Sequence, residues 1–73
     1  MTRFESVLWD AMERRDKPAD RALSVLSSAV RDGDRRFLYL PGFELCCERM
    51  GFTSNLAVSA VRMLAIKCMG NES

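Results

Sequence analysis

Seventy-three residues, 48% hydrophobic and 29% charged, exclude a disordered tail and are enough for one domain. Eleven basic residues against ten acidic ones give a formal net charge of +1, which excludes a strong overall field toward nucleic acid or an anionic membrane. A chain this short buries only about 60% of its unfolded surface, so a partner is expected, and a homodimer is its simplest form.

In the first segment Phe4, Val7, Leu8, Ala11 and Met12 fall at the spacing of one helical stripe, predicting a helix over residues 3–15. Thr2 is placed to cap it, with Glu5 three residues later as in a capping box, and Arg14 and Arg15 sit at the favourable end of its dipole. Trp9 lies beside the stripe, where it either widens the core face or projects toward a partner. "DKPAD" restarts the helical pattern, with Asp16 or Lys17 as cap and Pro18 in the first turn. The second helix is expected over residues 18–32, with Ala19, Ala22, Leu23, Leu26, Ala29 and Val30 facing inward, Ser24, Ser27 and Ser28 elsewhere, and Gly33 as its stop.

"RRFLYLPG" is ambiguous: Phe37 to Leu40 reads as an extended segment or as a last helical turn before Pro41, which disfavours α geometry at Leu40. It is taken as an apolar connector, since a lone strand has nothing to pair with. A third helix is expected over residues 42–50, closed by Gly51. Thr53 or Ser54 then caps a fourth over residues 54–69, with residues 70–73 as a frayed tail. The expected fold is therefore all-α, a bundle of about four helices in one domain.

The corner at Gly51 carries the main functional expectation. Cys47 is small and one helical turn before the glycine, Gly51 can take positive φ, and Phe52 follows as an apolar plug. Cys46, Met50, Ala57, Ala60, Val61 and Leu64 form an expected inner face, leaving Thr53, Ser54, Asn55, Ser59 and Arg62 along an outer one. The run "FELCCERMGFTSNLAVSAVR", residues 43–62, resembles the helix-turn-helix family of bacterial and phage regulators. That resemblance implies a DNA-binding transcriptional regulator in which Thr53 and Ser54 meet phosphate, while Asn55, Ser59 and Arg62 read bases and Val58 meets a thymine methyl. It also implies that Arg62→Ala weakens sequence-selective binding by about 1–3 kcal/mol in a domain that stays folded.

A different reading starts from "LAVSAVRMLAI", which is apolar nearly all round. A helix of that kind is buried on more than one side, as the central helix of a fold or as half of a dimer interface. The Gly51 corner is then only a junction between packed helices, and the protein is a homodimeric adaptor or inhibitor that grips a host protein, as many small phage and plasmid proteins are. Trp9, Tyr39 and Phe43 are its candidate interface residues, because large aromatic side chains are favoured at interface hot spots. Arg14, Arg15, Arg35 and Arg36 flank two inter-helix turns and are candidates for phosphate or partner contact, or are solvated ends paired with nearby carboxylates.

Enzymatic chemistry has little to work with. There is no histidine and no glycine-rich phosphate loop, and no carboxylate pair lies in an apolar surround, so neither a catalytic site nor a small-molecule substrate is expected. Cys46, Cys47 and Cys68 lack the spacing of a metal site and read as reduced, buried, small apolar side chains; no cofactor or metal is expected. No apolar run approaches the roughly 18–20 residues of a membrane span, and "MTRFESVLWDAMERR" interleaves acids with apolar residues, unlike a signal peptide. A cytoplasmic protein without membrane contact is expected.

Overall fold

Prolines and glycines punctuate the chain, and the helices lie between them. The computed structural model describes residues 3–13 and 16–71. Along these run α1 (Arg3–Ala11), α2 (Lys17–Asp32), a short 3-10 helix (Arg35–Tyr39), α3 (Pro41–Arg49) and α4 (Asn55–Asn71), with no strand among the described residues.

Helix α1 ends at Ala11, short of the expected residue 15, although the amide of Met12 still donates to the Leu8 carbonyl at 3.0 Å. The apolar stripe runs out at Met12, and Asp16 then caps α2 in an extended conformation, φ −84° and ψ 172°. The expected Thr2 cap and the Arg14–Arg15 helix end lie outside the described residues. Phe4, Leu8 and Met12 are buried as the stripe requires, whereas Val7 and Ala11 are exposed.

Helix α2 is the central element, packed against every other helix. Asp16 Oδ1 accepts the Ala19 amide at 3.0 Å, Pro18 occupies the first turn, and Ala19, Ala22, Leu23, Leu26 and Val30 are buried. Ser27 is buried with them, in place of the half-buried Ala29, and its hydroxyl has no hydrogen-bond partner among the described residues. Gly33 ends the helix at φ 69°; its amide donates to the Val30 carbonyl and that of Asp34 to the Ala29 carbonyl, the paired bonds of a Schellman cap.

The ambiguous connector is a 3-10 helix rather than a strand. Asp34 Oδ1 accepts the Phe37 amide at 3.4 Å at its start, and at its end Leu40 turns extended, φ −93° and ψ 155°, because Pro41 follows. Leu38 is fully buried here, and the Phe37 ring meets Phe43 edge-on at 6.5 Å.

Helix α3 contributes Phe43, Cys46 and Cys47 to the core, with Met50 just beyond it. It packs mainly against α2 and the 3-10 helix. Helix α4 contributes Val61, Ala65, Cys68 and Met69, with Trp9, Phe37, Phe52, Val58, Leu64 and Ile66 packed around the resulting core. This corrects the expected inner face of α4: Ala60 is exposed, and Ala57 and Leu64 are half-buried. At 100° per residue the buried stripe is rotated by roughly 70° from its expected position.

The Gly51 corner provides the first test of this fold. Gly51 sits at φ 93° with open space where a Cβ would stand, so Gly51→Ala meets backbone strain alone. A loss of about 1–2 kcal/mol in urea unfolding is expected, with native helix content by circular dichroism.

Candidate functional site

The corner is built by α3 and closed by backbone. The amide of Gly51 donates to the Glu48 carbonyl at 3.0 Å and that of Phe52 to the Cys47 carbonyl at 2.8 Å, a second Schellman cap. Phe52 then turns inward as the plug. Ser54 Oγ accepts the Ala57 amide at 3.1 Å, so Ser54 rather than Thr53 caps α4. Thr53, Ser54, Asn55 and Ser59 are all exposed along the first two turns, where the sequence pattern puts them.

Arg62 does not join them. The rotation of α4 carries it to the flank that faces the 3-10 helix, where its Nε donates to the Leu38 carbonyl at 2.9 Å. Its guanidinium carbon lies 5.2 Å from the Tyr39 ring centroid and 5.0 Å from that of Phe43. The Leu38 carbonyl sits at the end of a helix, where backbone acceptors need an outside donor, and a charged donor in a half-buried place supplies it well. Arg62 is thus corrected from a base-reading candidate to a clasp between α4, the 3-10 helix and α3. Phe43 is corrected with it: the ring is fully buried and serves the core, not an exposed interface.

The groove between α3 and the start of α4 is lined by Glu44, Glu48, Phe52, Thr53, Asn55 and Val58. Glu44 and Glu48 are exposed one turn apart on α3, so carboxylates border the residues expected to approach phosphate. With Arg62 withdrawn, Lys67 is the one exposed cation of α4 among the described residues. Neither feature favours a polyanion.

The opposite side of α4 is apolar and uncovered. Leu56 is 85% and Met63 70% exposed, Ala60 lies between them, and Met63, Leu64, Ile66 and Lys67 frame a shallow depression. Tyr39, 66% exposed, lies beside Arg62 on the flank that faces the 3-10 helix. Of the aromatic candidates, Tyr39 is therefore at the surface and Trp9 is half-buried against the core. Arg35 and Arg36 are exposed at the start of the 3-10 helix, and Arg14 and Arg15 lie outside the described residues. Met63 reads from the sequence as a core gap-filler alongside Met50 and Met69; those two are buried but Met63 is exposed, and Leu56 carries no sequence expectation. The signal for them was the all-round apolar character of α4, which identifies an excess of apolar residues but not which of them remain outside.

Cys46, Cys47 and Cys68 are buried. Burial pushes the Cys47 thiol up to about 12, with further upward pushes from Cys46 and Glu44 against a downward pull from Arg62; burial raises Cys46 too, against Arg49. Cys46 and Cys47 therefore stay protonated and inert at neutral pH. Among the described residues no group of three or more histidine, cysteine or acidic side chains could hold a metal, and no helix is long and apolar enough to cross a membrane. No family model, curated protein or solved structure matches the chain.

Two tests follow from the clasp and the thiols. Arg62→Ala is expected to lose about 2 kcal/mol of unfolding free energy in urea, and Arg62→Lys to recover only part of it, because the planar fork is lost. Because Cys47 holds its proton more tightly folded than unfolded, the stability it contributes is complete below about pH 9 and is lost as pH rises toward 12. Urea midpoints from pH 7 to 11 should fall above pH 9, and less steeply in Cys47→Ala.

Proposed function

We propose that the chain is a small non-enzymatic regulatory protein that acts by gripping another protein chain through the outer face of α4. The single observation that carries this reading is the exposure of Leu56 and Met63 on the outer face of α4, with the exposed Ala60 between them. Soluble monomers rarely leave such a surface uncovered, and methionine, tyrosine and arginine are favoured residues at interface centres. The acidic groove at the corner and the near-neutral total charge point the same way.

DNA binding is the second reading, favoured by one observation: Thr53, Ser54, Asn55 and Ser59 are exposed together at the start of α4, as a groove-entering helix needs. Without Arg62 this face offers amide and hydroxyl groups but no guanidinium. Any affinity would rest on a few contacts and fall steeply with salt.

Titration of duplex DNA and heparin across a salt series separates the two. The expected outcome is no sequence-selective retention, and no more than weak binding that vanishes by physiological salt. In parallel, tagged protein is exposed to extract of the cells that make it, beside a Met63→Arg variant whose fold is intact because the position is exposed. Capture of a protein by the native chain and its loss in the variant support the reading. Selective DNA retention that Asn55→Ala abolishes overturns it.

A further inference from the structure

We infer that Met63 is an oxidation site through which hydrogen peroxide turns the outer face of α4 from apolar to polar and releases a protein held there. The release rests on the protein-gripping reading above; the oxidation site rests on where this chain keeps its sulfur.

Of the four methionines among the described residues, Met12, Met50 and Met69 are 4%, 3% and 8% exposed, whereas Met63 is 70% exposed. All three cysteines are buried. Thiols are ordinarily the first groups that peroxide attacks, but they react as thiolates within reach of solvent. Burial denies that to Cys46 and Cys47, and Cys68 faces the core from the same helix that turns Met63 outward. A thioether has no proton to lose, so exposure alone sets its reactivity. Among the described residues, the sulfur offered to a water-borne oxidant is that of Met63.

The step is a two-electron oxygen transfer. A lone pair of the Met63 sulfur attacks one peroxide oxygen, the peroxide bond breaks, and that oxygen stays on sulfur as the sulfoxide. The other oxygen leaves as hydroxide, takes up the proton of the transferred oxygen and departs as water. On return, the dithiol of a sulfoxide reductase supplies two electrons, becomes a disulfide, and the oxygen leaves as water.

Position decides the consequence. A sulfoxide at Met12, Met50 or Met69 places an unpartnered polar group in the core and loosens the fold. At Met63 it stands in water in both the folded and the unfolded chain, so stability changes little. What changes is the surface: Leu56, Ala60 and Met63 share one side of α4 at steps of four and three residues, and Met63 also lines the depression with Leu64, Ile66 and Lys67. An apolar partner seated there must strip water from the sulfoxide oxygen without replacing its hydrogen bonds.

Trypsin isolates the site, because Arg62 and Lys67 bracket Met63 in "MLAIK" while Met12, Met50 and Met69 fall in other peptides. The native chain is treated with hydrogen peroxide at neutral pH, and its digest is followed over time by mass spectrometry. One oxygen is expected on the Met63 peptide about ten-fold or more faster than on the other three, with free thiols and melting temperature unchanged. Unfolding in urea should abolish the difference, and a sulfoxide reductase should restore the folded chain. The oxidised chain and Met63→Gln are expected to leave a hydrophobic-interaction column early, with Met63→Leu insensitive to peroxide. Oxidation of Met63 no faster than of the buried methionines, prior loss of thiols, or unchanged column retention overturns the site. Loss of a captured cellular protein from the oxidised native chain, but not from peroxide-treated Met63→Leu, supports the release. If Met63→Arg abolishes capture and the sulfoxide does not, the release is overturned while the protein-gripping reading stands. If the native chain captures nothing, that reading fails and the release with it, and the peptide map alone decides the oxidation site.

Discussion

The bond from Arg62 to the carbonyl of Leu38 determines how the rest of this molecule is arranged. Helix α4 is apolar nearly all round, so hydrophobic burial alone is almost indifferent to which of its faces turns inward. Arg62 removes that indifference. A guanidinium cannot be buried without partners, and it finds a helix-end carbonyl and two aromatic rings on the flank formed by the 3-10 helix and α3. With that flank occupied, Val61, Ala65, Cys68 and Met69 point into the core and Leu56, Ala60 and Met63 point away from it.

The same bond shapes the candidate functional surface twice over. It withdraws the strongest polar donor from the outer face of α4, which leaves an amide and hydroxyls beside the carboxylates of Glu44 and Glu48. It also holds Tyr39 against the Arg62 flank of α4.

The core that supports this arrangement is made largely of modest side chains. Three thiols and three alanines are buried among two phenylalanines, and small residues let α2 approach its neighbours closely in a chain too short for thick layers. Chain punctuation carries much of the remaining specification. Two glycine caps and two proline starts fix where helices stop and begin, so little apolar surface is needed to choose among alternatives.

Which features were legible in the sequence follows from the range of the forces involved. Local chemistry determined the four α-helices, the Gly33 and Gly51 stops, the Pro18 restart and a cap at Thr53 or Ser54, because each depends on residues within one turn of each other. Helix α1 stops at Ala11, where its apolar stripe runs out at Met12. Phe37 to Leu40 stayed ambiguous because a five-residue 3-10 helix has no period long enough to declare itself. The rotation of α4, the burial of Phe43 and the inward turn of Arg62 were decided only in the tertiary structure. They depend on a carbonyl 24 residues away in the chain, and no pattern within α4 can anticipate a partner at that distance.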